Sequence, residues 1–205
     1  MGRTFLEAVA KRRSYYKLGE SVTIDDNSVV ELVDSMLATL PSPFNVQSAR
    51  IVILFGEEHR ALWDIVIEEL RDIVPADKFE ATHRRINEAF RSGRGTLLFY
   101  EDTSTLEMLK RNYPLYADKV DAWSEQCSGM HQFAIWTALE DMGYGASLQH
   151  YNPLIDESVA KRWSINDKWQ LIAEMPFGEA KDVPSSRSQT SPPRDRMRVY
   201  GLYNK

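Results

Sequence analysis

Apolar side chains in this chain recur at helical spacing over long stretches and collect into short runs at a few points. Between residues 29 and 40 they lie three or four positions apart, as on one face of a helix. These residues are Val29, Val33, Met36, Leu37 and Leu40. Similar patterns predict further helices over about residues 5–13, 57–73, 77–91, 103–126 (with a break near Pro114) and 156–163. Helix is therefore expected to be the commoner element.

The sequence also marks where two of these helices begin. Thr4 and Glu7 have the spacing of a capping box, in which each side chain bonds the backbone N–H of the other residue. Ser28 and Glu31 have the same spacing and predict the start of the second helix. Pro41 ends that helix, because proline cannot continue the helical hydrogen bonds.

Short apolar runs rich in β-branched or aromatic residues predict strands. Runs of this kind lie at Ile51–Phe55, Thr96–Tyr100, Ala146–Tyr151 and Trp169–Met175. A few strands among more numerous helices predict an α+β or α/β domain. Residues 128–142 are apolar on nearly every side, which predicts a helix at the centre of the fold or at a subunit interface.

The C-terminal part of the chain has a different character. Residues 176–195 are rich in proline, serine and charge, which predicts an extended arm over the surface. Apolar residues then return at Met197, Val199, Tyr200, Leu202 and Tyr203. An apolar segment after a long exposed arm predicts a strand that docks on a partner subunit. We therefore expect one domain over residues 1–175, with residues 176–205 as its arm.

Bulk properties exclude several classes of protein. The chain has 205 residues and a formal net charge of −5, which suits one domain and gives no reason to expect a nucleic-acid partner. The longest apolar runs are strand-sized and the N-terminal residues lack the apolar core of a secretory signal, so no membrane association is expected. The single cysteine, Cys127, excludes a disulfide within the chain and fits a reducing compartment, so we expect a cytoplasmic protein.

Three segments carry groups suited to a flat, phosphorylated ligand. Arg12–Ser14 offers two guanidinium groups and a hydroxyl that match phosphate oxygens, although cations in a last helical turn often only complement the helix dipole. In Pro41–Gln47, prolines stiffen a turn whose serine and asparagine can bond a heterocycle, or the prolines simply end a helix. In Gly143–Pro153, glycines allow a ligand close to the backbone, or they cap the preceding helix.

Together these segments resemble the nitroreductase family of FMN-dependent oxidoreductases, over nearly the whole chain. Family members carry an Arg-x-Ser motif near the N-terminus and a Pro-Ser-Ser-x-Asn-x-Gln turn, which correspond here to Arg12–Ser14 and Pro41–Gln47. The run Trp123–Asp156 is similar to the subgroup first described with yeast fatty-acid repression proteins and related bacterial nitroreductases. The order and spacing of the three matches carry the resemblance.

The resemblance implies an α+β, nitroreductase-like fold in which helices flank a central mixed sheet and the C-terminal arm and strand are exchanged onto the partner subunit. It also implies a homodimer with FMN at the interface. The turn at residues 41–45 would come from the other subunit, and a backbone N–H within Gln149–Tyr151 would face the flavin N5. The implied cofactor-binding residues are Arg12, Arg13, Ser14, Tyr16, Pro41, Ser42, Pro43, Asn45, Asn87, Gln149, His150, Tyr151 and Arg187. Three aromatic residues would wall the flavin entrance and choose the acceptor, or serve only as packing anchors: Tyr113, Tyr116 and Trp123.

The sequence departs from the family pattern in three places, one of which is a C-terminal arm with few basic residues. Many relatives have a lysine where this chain has Tyr16, and a serine where it has Pro43. The missing lysine removes one cation from the phosphate, which affects the tightness of binding rather than its place. Cys127 and His131 are four residues apart, but two ligands do not make a zinc site, so no metal is expected. Without a Gly-x-Gly-x-x-Gly motif, a Rossmann crevice for NAD(P)H is not expected either.

The implied activity is a ping-pong reaction in which FMN carries the redox chemistry. NAD(P)H passes a hydride to the flavin N5 and leaves, and a nitroaromatic, quinone or similar small acceptor then takes its place. Two alternatives stay open. One is a flavin-binding regulator or sensor with little turnover in lipid or oxidative-stress signalling, and the other is a non-redox protein that kept the fold and lost FMN.

Overall fold

The computed structural model describes residues 3–21, 23–188 and 190–201, which form a five-stranded sheet with helices on both faces. The strands are β1 (Leu18–Gly19), β2 (Ala49–Phe55), β3 (Gly95–Asp102), β4 (Gly145–Ala146) and β5 (Trp169–Ala180). The helices are α1 (Phe5–Lys11), α2 (Asp26–Thr39), α3 (Gly56–Arg71), α4 (Ala76–Ile86), α5 (Thr103–Asn112), α6 (Val120–Met142) and α7 (Asp156–Trp163). Short 3₁₀-helices cover Pro43–Asn45, Pro114–Lys119 and Pro193–Arg196, and a π-helical turn, Asn87–Arg91, follows α4.

The sheet runs in the order β1-β5-β3-β2, and β4 pairs with the end of β5. The ladders between named strands are antiparallel. An isolated parallel bridge between Ser14 and Ala146 lies outside these ladders, so the described sheet is antiparallel where a mixed one was implied. The expected α+β class, with a central sheet between helices, is confirmed.

Each face of the sheet has its own apolar core. Trp63 of α3 and Phe90 of the π-helical turn are fully buried on one face, together with Ile155 just before α7. Val29 of α2 and Ile135 of α6 are buried on the other face. No helix in the described part of the chain is long and apolar enough to cross a membrane.

The predicted helices are present, with a correction at one start. The Thr4–Glu7 capping box is formed at α1, with Thr4 Oγ1 accepting the Glu7 N–H. The Ser28–Glu31 box is wrong, because α2 begins three residues earlier, where Asp25 caps it through the Asn27 N–H (3.3 Å). An acidic N-cap is as good as serine, so the acidic residue nearer the helix start took that role.

The segment 103–142 was predicted as two helices meeting near residue 127. The break near Pro114 is confirmed, but α6 then runs from Val120 through Met142 without interruption. The reason is that the polar stretch before residue 128 contains no glycine or proline to stop a helix.

The strands differ more from expectation. The strand predicted at 146–151 is reduced to β4, followed by an isolated bridge between Gln149 and Glu174. In contrast, β5 passes the predicted end at Met175 and reaches Ala180, so the arm begins later. This extension pairs with β1, and a Cβ on Gly178 would collide with the backbone oxygen of Gly19. A glycine that indicated a loop is therefore needed for two strands to approach each other.

The C-terminal strand is not formed within the described residues. Pro193–Arg196 is a short helical turn, and residues 197–201 have no strand pairing in the part of the chain that is described. Leu202 and Tyr203 lie outside the described residues. Exchange of the arm onto a partner subunit therefore stays a prediction.

Candidate functional site

A parallel bridge brings the N-terminal motif to the segment that follows α6. Ser14 pairs with Ala146, and the Tyr15 N–H donates to the backbone oxygen of Ala146 (3.0 Å). Gly145 leaves room for this contact, because a Cβ there would lie 3.1 Å from Tyr15 Cγ and 3.0 Å from Ala180 Cβ. Two of the three segments singled out in the sequence therefore meet.

A cleft of about 580 Å³ opens beside Ser14, and we call it the cation cleft. Five predicted cofactor residues line it: Arg12, Arg13, Ser14, Tyr16 and Arg187. Its other wall is the arm of the same chain, through Asp182, Val183, Pro184, Ser185 and Ser188. The structure thus gathers the predicted phosphate-binding side chains around one open space.

Arg12 is the most constrained of these cations. Its guanidinium carbon lies 4.1 Å from the centre of the Trp136 ring, which is a cation–π contact. Partial burial and the positive charge of Arg187 lower the pKa of Arg12, and the nearby Glu140 opposes them. The Nε of Arg12 is buried without a hydrogen-bond partner among the described residues. A phosphate between the guanidinium groups would relieve their repulsion and offer acceptors to these donors.

Arg187 holds the arm against the C-terminal end of α1. Its Nη2 donates to the backbone oxygens of Ala10 (2.8 Å) and Arg12 (2.6 Å). Arg13 in turn donates to the backbone oxygen of Ser185. The end of a helix carries a partial negative charge that opposes an anion, and the Arg187 cation offsets it there. The arm therefore helps to build the cleft as well as to wall it.

A second group of predicted residues, Gln149–Tyr151, lies against β5, and we call it the ring segment. Gln149 exchanges both backbone hydrogen bonds with Glu174, at 2.7 and 3.0 Å. The Tyr151 N–H donates to Glu174 Oε2 at 2.8 Å. No described residue accepts the N–H of His150, whose side chain is exposed. Of the three N–H groups, the one at His150 is therefore available to a ligand.

The turn at residues 41–47 has an unusual backbone. Phe44, Asn45 and Gln47 have φ angles of 52°, 54° and 51°. These angles lie in the left-handed region, which residues other than glycine rarely adopt. The Gln47 N–H donates to Ser42 Oγ at 2.9 Å, which closes the turn. None of these residues lines the cation cleft of the same chain, as far as the described residues go.

The three predicted acceptor residues cluster around the side chain of Phe44. The Phe44 ring stacks on the Tyr113 ring, with 4.1 Å between the two ring centres. Its centre lies 5.9 Å from that of Tyr116 and 6.2 Å from that of Trp123. A cleft of about 340 Å³ opens along Pro43, Phe44 and Trp123. We call the four rings the aromatic cluster. It is partly exposed, and it suits a flat aromatic molecule that stacks on its rings.

The model of the Nitroreductase family matches residues 9–179. The chain belongs to the nitroreductase family. Members of this family are generally FMN-dependent oxidoreductases and are usually dimers with the flavin at the interface. Membership confirms the nitroreductase-like α+β fold, with helices flanking a central sheet.

Individual relatives agree with this assignment. The chain is 32% identical over 187 residues to the putative nitroreductase HBN1 of Saccharomyces cerevisiae, and the match covers 90% of this chain and 92% of that protein. Structures of the nitroreductase CinD from Lactococcus lactis in complex with nicotinic acid, chloramphenicol or 4-nitrophenol have TM-scores of 0.88, 0.86 and 0.85. Their sequence identities are 38%, 36% and 37%, and each match covers 97% of this chain and 100% of the other.

A third relative is known in complex with FMN. It is a putative nitroreductase from Desulfovibrio desulfuricans, with a TM-score of 0.69 and coverage of 98% of this chain and 99% of the other. Its sequence is 15% identical to this one, so the match shows the nitroreductase fold alone.

The described residues of this chain fit the phosphate end of FMN. The cation cleft is open, its donors are guanidinium and hydroxyl groups, and the buried Nε of Arg12 lacks a partner among the described residues. The ring segment, which follows the Ser14–Ala146 bridge in the chain, offers the His150 N–H. The predicted roles of the individual residues remain proposals.

Asn87, predicted to contact the flavin, begins the π-helical turn after α4. Its Nδ2 donates to the backbone oxygen of His83 at 3.1 Å and lies 3.0 Å from His83 Nε2. Asn87 is not among the described residues that line the cation cleft. Such π-helical turns often occur at functional sites, but the side-chain hydrogen bonds of Asn87 go to His83 of α4.

The sequence prediction missed three residues that shape this site: Trp136 beneath Arg12, Phe44 within the aromatic cluster, and Glu174 behind the ring segment. Glu174 left a signal, because it is the single charged residue in the apolar run Leu171–Phe177. Trp136 and Phe44 left none, because a tryptophan in an apolar helix and a phenylalanine in a turn are ordinary.

Proposed function

We propose that this chain is an NAD(P)H-dependent nitroreductase that holds FMN in a homodimer and reduces small aromatic acceptors. The observation that carries the proposal is the cation cleft, where Arg12, Arg13, Arg187 and Ser14 surround one space. A bridge from Ser14 to Ala146 joins the cleft to the strand that leads into the ring segment. Family membership supports it, because nitroreductases are generally FMN-dependent.

In this proposal the cation cleft binds the phosphate and ribityl end of FMN. Arg12 and Arg13 provide forked donors for phosphate oxygens, and Ser14 provides a hydroxyl. Tyr16 occupies the place where many relatives have a lysine, so its contact is a hydroxyl rather than a charge. Arg187 acts less directly, because it neutralises the end of α1 and holds the arm over the cleft.

The ring end of FMN would lie along the ring segment, where the free N–H of His150 donates toward N5. Gln149 and Tyr151 keep this backbone in place through their bonds to Glu174. Pro41, Ser42, Pro43 and Asn45 of a second subunit would close the other side, since they do not line the cation cleft of their own chain among the described residues. Asn87 is the remaining proposed contact, at the pyrimidine end.

FMN, when bound, supplies the redox chemistry by accepting electrons from NAD(P)H and passing them to the acceptor in two separate half-reactions. The protein supplies position and access. The aromatic cluster stacks a flat acceptor, and Tyr113, Tyr116 and Trp123 select it by shape. The three CinD complexes, with nicotinic acid, chloramphenicol and 4-nitrophenol, support an aromatic acceptor.

The homodimer is supported by the surface of α6. Met130 and Phe133 lie near the middle of this helix and are 42% and 40% exposed in the single chain. Phe5 and Leu6 of α1, which packs on α6, are 71% and 75% exposed. Exposed large apolar side chains on two helices that pack together are typical of an obligate interface.

Three measurements on the purified protein test the proposal. We expect a yellow dimer with the absorbance of oxidised flavin, and oxidation of NADH or NADPH that a nitroaromatic accelerates. Colourless protein that takes up no FMN on titration would indicate that the fold was kept and the cofactor lost. Yellow protein whose NAD(P)H oxidation is indifferent to a nitroaromatic or a quinone would instead favour a flavin-binding sensor.

A further inference from the structure

Glu174 is a buried acid at a position that belongs to the apolar core. It lies in β5 opposite Leu98 of β3, and its side chain is 0% exposed. Burying a carboxyl group is costly unless hydrogen bonds compensate, and an apolar residue would suit this strand better. A buried charge in a central strand therefore requires an explanation beyond packing.

The hydrogen bonds of Glu174 supply that explanation. Its backbone N–H and C=O both bond Gln149, and its carboxylate accepts the N–H of Tyr151. One residue thus satisfies the backbone on each side of His150. The ring segment has no other regular pairing among the described residues, because β4 ends at Ala146.

We propose that Glu174 is a positioning residue that fixes the ring segment from inside the core and leaves the His150 N–H as the donor to the bound ligand. This inference rests on the proposed function, because the ligand is the flavin ring. The nearest alternative, a leucine at 174, would keep the β5 backbone bonds to Gln149 and leave the Tyr151 N–H without its acceptor.

The carboxylate is also sensitive to pH in the neutral range. Burial raises the pKa of Glu174 to about 7, and the nearby Asp156 of α7 adds to the rise, while the Tyr151 N–H lowers it. Burial likewise raises the pKa of Asp156 and of Tyr100 in β3. The second oxygen of Glu174 has no partner among the described residues. Because a charged acceptor holds an N–H more strongly than a neutral one, the ring segment should be held more tightly above this pH.

Two variants and one control separate this role from general stability. Glu174→Gln keeps an oxygen that accepts the Tyr151 N–H but removes the charge. Glu174→Leu removes the acceptor and suits the apolar strand. Glu101→Gln is the matched control, because Glu101 is another buried acid with a raised pKa, in the neighbouring strand β3, and it bonds Ser48 instead of the ring segment.

The first measurement is hydrogen exchange at the Tyr151 amide, which needs no ligand. We expect Glu174→Leu to accelerate exchange there at least tenfold, and Glu101→Gln to leave it unchanged. The second is the visible absorbance of bound FMN as pH is varied. The wild type and Glu101→Gln should show a transition near pH 7, which Glu174→Gln should lack.

The FMN dissociation constant completes the test. We expect it to rise at least tenfold in Glu174→Leu and less than threefold in Glu174→Gln. Unchanged Tyr151 exchange in Glu174→Leu, or a pH transition that persists in Glu174→Gln, overturns the role of Glu174. Wild-type protein that takes up no FMN would instead overturn the proposed function, and the exchange measurement would still decide whether Glu174 holds the segment.

Discussion

The cation cleft and the aromatic cluster are built in opposite ways. The cleft is fixed by the backbone bridge between Ser14 and Ala146 and by the hydrogen bonds from the Arg187 side chain to backbone oxygens at the end of α1. The aromatic cluster is held by stacked side chains around Phe44, whose backbone has a φ of 52°, in the left-handed region. The cation cleft is charged and held by hydrogen bonds, whereas the aromatic cluster is apolar and partly exposed.

This difference suits two different ligands. A cofactor that stays bound gains from donors that are already positioned, because little ordering remains to be done on binding. An exchanging acceptor gains from flat rings that tolerate several shapes. Substitutions in the cleft should therefore affect FMN retention, whereas substitutions in the cluster should affect the choice of acceptor.

The largest effect is expected from Arg12→Ala. Loss of a charge-assisted contact to the phosphate should weaken FMN binding by about 2–3 kcal/mol, which is roughly a 30- to 150-fold rise in Kd. Titration of apoprotein with FMN, followed by fluorescence, measures it directly.

Lys11→Ala is the matched control for Arg12→Ala. Lys11 is the preceding cation on α1 and lies 3.9 Å from Glu140, but it does not line the cation cleft. Its removal should change the Kd for FMN less than threefold. Equal losses in both variants would mean that the cleft acts through general charge rather than through a phosphate contact at Arg12.

The cleft and the cluster also differ in how far the sequence predicted them. Arg12, Arg13 and Ser14 are contiguous, and their residue types match a phosphate, so sequence alone predicted them together. Arg187 was predicted through the resemblance, and the structure places it in the same cleft through contacts to Ala10 and Arg12. Nothing in local sequence could fix that contact, because it joins residues 175 and more positions apart.

The strands show the same limit. The positions of β2 and β3 were predicted, although each strand is two or three residues longer than expected, since their apolar pattern is local. The end of β5 was missed, because Pro176 and Gly178 indicate a loop unless the partner strand is known. Phe44 was missed for a related reason. Its importance comes from three rings that lie about 70 or more residues further along the chain.

A pH titration of stability sharpens the comparison, because Glu174 lies behind the ring segment and not in the aromatic cluster. Its pKa is raised to about 7, so the neutral form is favoured by folding. The contribution of Glu174 to the free energy of unfolding is fully present below the ordinary pKa of a glutamate. It is lost as pH rises through 7. The loss should approach about 3 kcal/mol as an upper limit.

Urea unfolding at pH 5 and pH 8 measures this change. The wild type should lose stability between the two values, and Glu174→Gln should lose much less of it. A wild type and a Glu174→Gln variant with the same pH dependence would show that another group titrates. The ratio of KM values for two acceptors should stay constant across the same range if the cluster is independent of Glu174.

The smallest effect is expected from Phe44→Ala, which opens the aromatic cluster. Loss of one stacking ring costs about 1 kcal/mol, so KM for a nitroaromatic should rise roughly fivefold. The Kd for FMN should change less than that, because Phe44 does not line the cation cleft. Leu115→Ala is the control, since Leu115 is 90% exposed in the neighbouring turn. The decisive comparison uses ferricyanide, an acceptor without a ring: if its KM rises as much as that of the nitroaromatic, the cluster does not select acceptors by stacking.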